Sequence, residues 1–435
     1  MTTKRRLLAL WSPRIAGMAA LVVAGFATLA AAAPTGAGTE EQRSSGWVAA
    51  WQGSPVPGGT IPAPIFNCPA DKGLTDQTVR NVVFLTAGGD RVRARLTNAF
   101  GSQPLQVGSA SVAIAGDGAA TLPGTSRPLR FGGRSSILIA AGSEALSDPV
   151  SLKVNALQTL AISVYLPKAT GPATQHFFAQ QDNYVAAGDH TLSAPADAFT
   201  GKITCWMFAD GVDVQAPPRV EGTVVTLGDS ITDGFASTTN ANRRYPDDLA
   251  RRLNARRGST LSVSNAGIGG NELLTFRTDP AFGPIFGPPA PARLDRDVLT
   301  QFGVRDVILL EGINDIGHDN GKAADLIQVD QQIITQVHAH GLKIYGATLV
   351  PFGGSNAGYG GNYGTAAGEK ERQALNQWIR TSGSFDGVFD FDKATRDPQD
   401  PTRMLPAYDS GDHLHPSDAG YQSMANAVNV DALLG

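Results

Sequence analysis

A serine lies in a short polar segment directly after an apolar run. Residues 228–234 read GDSITDG and follow the apolar residues 223–227. If that run is a buried strand, Ser230 stands at its carboxyl end beside a helix start, where free backbone amides favour developing negative charge. The tripeptide Gly-Asp-Ser is also common in turns, so further residues are needed before Ser230 can be assigned as a nucleophile.

Three later polar segments also lie at the expected ends of strands or starts of helices. Residues 265–271 read NAGIGGN, residues 312–315 read GIND and residues 412–416 read DHLHP. Because the carboxyl ends of parallel strands meet at one edge of a sheet, we expect these segments to come together near Ser230.

The four segments resemble the SGNH, or GDSL-like, hydrolase family, which carries its serine, glycine, asparagine and histidine in four ordered blocks. The resemblance covers about the last half of the chain. It implies that Ser230 attacks an ester carbonyl. It also implies an oxyanion hole formed by the amides of Ser230 and Gly270 and the side chain of Asn314, with Asp412 and His415 completing a catalytic triad.

The chemistry of ester cleavage calls for the same residue types. Neutral serine is a weak nucleophile and needs a base that accepts its proton near pH 7, which a histidine such as His415 can do. A carboxylate such as Asp412 then holds the imidazole in the correct tautomer. Metal ligation by Asp412, His413 and His415 is the alternative, although the serine and oxyanion segments leave no need for a metal. Asn265 and Asp315 are expected to shape their loops.

The first half of the chain has the period of a β-sheet. Leu160, Ile162, Val164 and Leu166 alternate with other residues, so one face of this strand is directed into a core. Such strands, punctuated by glycine-rich turns, predict a β-sandwich or jelly-roll-like domain over residues 45–215. Residues 47–51 (WVAAW), 96–101 (LTNAFG) and 188–191 (GDHT) resemble the unit that precedes the hydrolase domain in exported bacterial SGNH esterases.

The second half, residues 220–435, alternates apolar runs with helical patterns. Strands are expected at residues 223–227, 304–310, 342–350 and 388–391, and helices at 246–255, around 326–337, at 369–380 and at 419–434. Buried strands with intervening helices predict an SGNH-type three-layer α/β/α domain with a parallel sheet. The connector around Pro217-Pro218 marks the expected boundary between the two domains.

The amino terminus has the pattern of an export signal. Lys4, Arg5, Arg6 and Arg14 precede or flank an uncharged, alanine-rich stretch, which predicts a signal peptide over residues 1–33 and a secreted or periplasmic protein. A retained membrane anchor is the alternative. Cleavage removes four of the 35 basic residues and no acidic ones, leaving 31 against 39 and a formal net charge of −8. An acidic surface argues against nucleic-acid and anionic-lipid partners.

The chain has only two cysteines, Cys68 and Cys205. In an exported chain they are candidates for a disulfide, whereas two separately buried thiols are the alternative. Neither has the partner residues of a catalytic cysteine.

These observations predict a secreted serine esterase that works through an acyl-enzyme, with no cofactor and no metal. Its expected substrates are short-acyl, above all acetyl, esters of carbohydrates or of small aryl or alkyl alcohols, so an acetylated glycan is an expected partner. No nucleic acid and no stable membrane partner after signal cleavage are expected. The alternatives are a lipase or phospholipid acylhydrolase, and a secreted carbohydrate-binding protein with a vestigial hydrolase domain.

Overall fold

The first part of the described chain forms antiparallel β-sheets, and the second part forms a parallel β-sheet. The computed structural model describes residues 46–59 and 66–435, so the predicted signal peptide, residues 1–33, lies outside the described residues. Within the described part of the chain, no helix is long and apolar enough to cross a membrane.

Fifteen strands of the described residues belong to the β-rich region. They are β1 Trp47–Gln52, β2 Gln77–Phe84, β3 Gly89–Asn98, β4 Leu105–Val107, β5 Ser109–Ile114, β6 Arg127–Pro128, β7 Ile137–Ile139, β8 Ser143–Leu146, β9 Val150–Val154, β10 Thr159–Leu166, β11 Gln175–His176, β12 Asn183–Ala187, β13 Gly201–Ile203, β14 Trp206–Met207 and β15 Ala209–Gln215.

Two large antiparallel sheets enclose the core of this β-rich region. One has the order β1-β15-β3-β8, with β9 also paired to β3, and the other has the order β13-β12-β2-β10-β5-β6. Alternate residues of both sheets, such as Val92 and Val212 from the first and Val79 and Ile162 from the second, belong to one buried hydrophobic cluster. The predicted β-rich unit with inward-facing alternate residues is confirmed.

The remaining strands and helices alternate. They are β16 Val220–Gly228, α1 Ser230–Asp233, α2 Tyr245–Asn254, β17 Thr260–Gly267, α3 Ala290–Leu294, a π-helical turn Asp295–Leu299, β18 Val304–Leu310, α4 Ile313–Asp319, α5 Ala323–Ala339, β19 Lys343–Ala347, α6 Asn356–Tyr359, α7 Ala366–Thr381, β20 Gly387–Phe389, α8 Phe391–Thr395, α9 Asp418–Ala427 and α10 Val430–Leu434.

The strands of this second part form one parallel sheet in the order β17-β16-β18-β19-β20. The second strand, β17, pairs on one side of β16, whereas the later strands are added on the other side. Right-handed crossovers therefore place α2 on one face of the sheet and α3, α5 and α7 on the other. Helix α2 packs against β17 and α9, while α5 packs against β19 and α7. The predicted three-layer α/β/α arrangement is confirmed.

The strand register places the carboxyl ends of β16, β17 and β18 side by side. Gly228 of β16 lies opposite Gly267 of β17 on one side and Leu310 of β18 on the other. The loops that follow these three strands therefore leave the sheet at the same level and can meet above its edge.

One helix prediction needs correction. A single helix was expected over residues 419–434, but the structure has two, α9 and α10. Val428 leaves the helical conformation, and the side chain of Asn429 accepts hydrogen bonds from the amides of Asp431 and Ala432, which starts a new helix.

The β-rich region packs directly on the parallel sheet. The hydroxyl of Ser262 on β17 donates to the carbonyl of Ala49 on β1, and Ser264 bonds Gln52 at 2.7 Å. Thr86 Oγ1 donates to the Val263 carbonyl at 2.7 Å. These contacts explain why β17 carries buried serines at alternate positions. The described residues belong to one compact unit, and the boundary between residues 215 and 220 stays a prediction.

Cys68 and Cys205 form a disulfide in the structure, with Cα atoms 5.7 Å apart and a sequence separation of 137. The bond links the segment before β2 to the residue that precedes β14. It therefore closes a loop that contains most of the β-rich region.

We expect a Cys68→Ser, Cys205→Ser double variant to unfold more easily, because an open chain gains entropy in the unfolded state. The expected loss is about 2–4 kcal/mol in the free energy of unfolding, measured by urea denaturation of oxidised wild type and variant. Reduced wild type is the control, since it should match the variant. Equal stability of all three would contradict a stabilising role.

Candidate active site

The turn between β16 and α1 presents Ser230. The side chain of Asp229 accepts a hydrogen bond from the Ile231 amide at 2.8 Å and so caps the short helix that Ser230 begins. At Gly228 a Cβ would collide with the Leu310 carbonyl and the Thr232 side chain, so only glycine fits this close approach. Burial raises the pKa of Asp229 to about 7.

Ser230, His415 and Asp412 form a continuous chain of hydrogen bonds. Ser230 Oγ lies 2.8 Å from His415 Nε2, and His415 Nδ1 lies 2.7 Å from Asp412 Oδ2. Ser230 is 6% exposed and His415 is 4% exposed. The structure thus brings together the three residues that the sequence assigned to nucleophile, base and carboxylate.

Asp412 is held in its charged form. Burial favours the neutral carboxyl, but the hydrogen bond and charge of His415 and the amides of Leu414 and His415 outweigh it and hold the pKa of Asp412 well below its usual range. An ionised carboxylate at this position fixes the proton of His415 on Nδ1, leaving Nε2 free to accept the serine proton.

Tyr359 is a contact of this group that the sequence did not indicate. Its hydroxyl donates to Asp412 Oδ2 at 2.9 Å and lies 3.3 Å from His415 Nδ1. Burial and the Asp412 charge raise the pKa of Tyr359 above its ordinary value, so the phenol stays protonated and remains a donor. Tyr359 lies in the glycine-rich segment after β19, where no periodic pattern marks it.

Two of the expected oxyanion donors line the same pocket as Ser230. Gly270 adopts a left-handed φ of 73°, and a Cβ there would collide with the ring of Phe286. Asn314 donates one hydrogen of its side-chain amide to the Asn271 carbonyl at 2.8 Å and accepts from the Tyr363 hydroxyl at 2.6 Å. These bonds fix the amide plane and leave its second hydrogen for a ligand.

Asp315 connects the two loops that carry the expected oxyanion donors Gly270 and Asn314. Its carboxylate accepts hydrogen bonds from the amides of Leu273 and Leu274 at 2.9–3.1 Å, so the loop after β17 is anchored to the start of α4. Burial raises the pKa of Asp315 to about 7. Asn265, near the end of β17, accepts a hydrogen bond from the Gly267 amide and donates to the Thr232 carbonyl, both at 2.9 Å.

Arg293 is a second residue that sequence reasoning missed. Its buried guanidinium donates to the carbonyls of Gly228 and Ala266, at 3.0 and 2.7 Å, and to the side chain of Asn271 at 2.9 Å. It also forms an ion pair with Asp297 at 3.0 Å. One side chain therefore holds the ends of β16 and β17 and the loop that carries Gly270 in fixed relation.

These groups open into a pocket of about 200 Å³. Its lining is mainly aromatic and includes Phe178 of the β-rich region. The lining residues are Phe178, Ser230, Phe235, Gly270, Arg277, Phe282, Phe286, Asn314, His318, Tyr359, Tyr363, Leu414 and His415.

His413 points away from the group. Its Nδ1 lies 2.6 Å from Asp409 Oδ2, and its ring is largely solvent-exposed. Among the residues that the structure describes, no group of three or more His, Cys, Asp and Glu side chains is arranged to hold a metal ion.

Residues 226–423 match the model of the GDSL-like Lipase/Acylhydrolase family. A search of curated proteins finds no match.

Solved structures similar to the chain include three bacterial hydrolases. A carbohydrate acetylesterase from Sinorhizobium meliloti is 16% identical and has a TM-score of 0.38, with 49% of this chain and 99% of that one covered. The native aryl esterase of M. smegmatis is 17% identical at a TM-score of 0.37, covering 47% and 95%. A GDSL-like lipase from Bacteroides thetaiotaomicron is 17% identical at a TM-score of 0.37, covering 49% and 88%.

We expect Arg293→Met to lower the free energy of unfolding by about 3–5 kcal/mol, because it removes one partner of a buried ion pair and leaves carbonyls without a donor. The measurement is urea denaturation followed by circular dichroism.

Arg296→Met is the matched control. Arg296 pairs with the same Asp297, at 2.6 Å, but is 24% exposed and bonds neither strand end. It should cost about 1 kcal/mol. Equal losses in the two variants would show that Arg293 has no special part in holding the strand ends.

Proposed function

Because residues 226–423 are a GDSL-like lipase/acylhydrolase domain, we propose that the chain is a serine esterase with Ser230 as nucleophile, His415 as general base and Asp412 as its carboxylate partner. The observation that carries this proposal is the chain of hydrogen bonds from Ser230 Oγ through His415 to Asp412, buried at one end of an aromatic pocket. Gly270 and Asn314 line the same pocket and supply donors for an oxyanion.

In the acylation step, Ser230 Oγ attacks the ester carbonyl carbon while its proton moves to His415 Nε2. The carbonyl oxygen becomes an oxyanion that accepts hydrogen bonds from the amides of Ser230 and Gly270 and from Asn314 Nδ2, each worth on the order of 3 kcal/mol in related sites. Collapse of this intermediate breaks the bond to the alcohol oxygen. The alcohol leaves with the proton from His415, and the acyl group stays on Ser230.

Deacylation repeats the sequence with water. His415 takes a proton from water, the resulting hydroxide adds to the acyl carbon, and Ser230 leaves with the proton returned by His415. Asp412 stabilises the imidazolium formed in both halves of the reaction.

The size of the pocket supports small substrates. A cavity of about 150 Å³ accommodates benzene, so the pocket of about 200 Å³ has room for a short acyl chain or a single ring rather than a long acyl chain. We therefore propose acetyl and other short-acyl esters of carbohydrates or small aryl or alkyl alcohols. A lipase would need a longer apolar groove.

We also propose that the protein works outside the cytoplasm. The disulfide between Cys68 and Cys205 supports this, because disulfides persist in oxidising compartments such as the periplasm and the extracellular space. The signal-peptide pattern of residues 1–33 agrees with it.

Ser230→Ala should lower kcat for p-nitrophenyl acetate by at least about 10⁴-fold, as the loss of a nucleophile does in other serine hydrolases. His415→Ala should cost about as much, whereas His413→Asn should stay close to wild type because the His413 ring bonds Asp409 of its own loop and not the Ser230–His415–Asp412 group. Stopped-flow and steady-state release of p-nitrophenolate give the rates. Turnover that survives in Ser230→Ala would refute the nucleophile assignment.

An acyl-chain series of p-nitrophenyl esters from acetyl to palmitoyl tests the substrate proposal. We expect kcat/KM to be highest for the two- to four-carbon esters and to fall steeply beyond them, since longer chains exceed the pocket. A preference for long chains, or activation by lipid interfaces, would instead identify a lipase.

A further inference from the structure

His176 of the β-rich region is buried against the start of the hydrolase domain. Its Nδ1 lies 2.9 Å from the Ser54 carbonyl, and its Nε2 lies 2.9 Å from Asp233 Oδ1, at the end of the helix that Ser230 begins. The side chains of His176 and Asp233 are each 3% exposed. A carbonyl and an ionised carboxylate only accept hydrogen bonds, so with Asp233 ionised both ring nitrogens donate and the ring is an imidazolium.

The Asp233 carboxylate favours this charged form, whereas the positive charge of Arg244 opposes it. Burial opposes the charge, but the Asp233 carboxylate and the hydrogen bonds to Asp233 and Ser54 outweigh it and raise the pKa of His176. The other charged groups that face it are Arg244 and Asp247, which pair with each other at 3.0 Å at the start of α2. The Trp206 ring packs on its flank, with centroids 5.2 Å apart.

Asp233 also bonds the loop after β17, which carries Gly270. While Oδ1 bonds His176, Oδ2 accepts the amide of Gly269 at 3.2 Å. Gly269 directly precedes Gly270, the proposed oxyanion donor, and a Cβ at Gly269 would collide with the ring of Phe178. The same carboxylate therefore sits between the helix of the nucleophile and the loop of the oxyanion donor.

We propose that His176 is a positioning residue for the esterase reaction: its charged ring fixes Asp233, and Asp233 fixes Gly269 so that the Gly270 amide is directed at the developing oxyanion. This inference rests on the proposed function. It makes the β-rich region a working part of the active site rather than a separate binding module.

The surroundings of His176 indicate which kinetic constant should respond. The void beside His176 and Asp233 is about 20 Å³, room for about one water molecule, so no substrate group binds there. A group that acts only on the oxyanion donor should affect the transition state more than the bound ester, and thus kcat more than KM.

The test compares three variants with wild type on p-nitrophenyl acetate. His176→Phe removes both donors, His176→Gln keeps an N–H group that reaches Asp233 but carries no charge, and His190→Phe is the control. His190 is a half-buried histidine of the same region, bonded to Ser193 and away from the site. Thermal unfolding followed by circular dichroism sets an assay temperature at which every variant is folded.

We expect His176→Phe to lose about 10- to 100-fold in kcat with little change in KM, the size of effect that a small misplacement of a catalytic group produces. His176→Gln should recover part of this loss. In wild type, kcat should fall at alkaline pH as His176 loses its proton, and His176→Gln should lack that decline. His190→Phe should keep the wild-type kcat and pH profile.

Three results would overturn the positioning role: a kcat of folded His176→Phe or His176→Gln equal to that of wild type, an equal loss in His190→Phe, or an alkaline decline that His176→Gln retains. Labelling of Ser230 by a fluorophosphonate separates this failure from failure of the proposed function. Wild type that turns over esters and is labelled, beside an unaffected His176→Phe, refutes only the role of His176. Wild type that neither turns over esters nor reacts refutes both.

Discussion

The register of three parallel strands is the constraint on which the site depends. Pairing of β16 with β17 and β18 sets Gly228 level with Gly267 and Leu310, so the loops that carry Ser230, Gly270 and Asn314 start from one line. A shift of one residue in either pairing would move a donor by about 3.3 Å, several times the tolerance of an oxyanion hole. The loop before α9 then places His415 and Asp412 beside these three strand ends.

The ends of the central strands are held together by charged and ionisable side chains buried beneath the site. Arg293 satisfies the carbonyls of Gly228 and Ala266, and around it lie Asp229, Asp315 and Glu311, whose pKa values are all raised by burial. Buried ionisable groups of this kind seldom add net stability. Their value here lies in geometry, since directional hydrogen bonds fix loop positions that apolar packing alone leaves free to slide.

Sequence reasoning identified those residues of the proposed site that lie in short, distinctive segments of the chain. Ser230, Gly270, Asn314, Asp412 and His415 lie in short segments with distinctive composition, and the alternation of runs predicted the parallel sheet and the β-rich region. Tyr359, Arg293 and His176 escaped it because each acts on residues tens to more than a hundred positions away. An isolated tyrosine, arginine or histidine carries no periodic signal, and only the folded chain shows what it contacts. The break at Val428 was missed for a related reason, since the apolar spacing continues across it and only the cap at Asn429 marks the second helix.

The disulfide lies close to the strand that carries His176. Cys205 directly precedes Trp206 of β14, and β14 pairs with β11, the two-residue strand that ends in His176. With both cysteines reduced, this short ladder would be held by its two residue pairs, by the backbone bridge between Val56 and Gln175 and by side-chain hydrogen bonds to β2. If the protein is exported as proposed, oxidation of the two cysteines is expected to fix β14, and with it the paired strand that carries His176, only after the chain has left the reducing compartment.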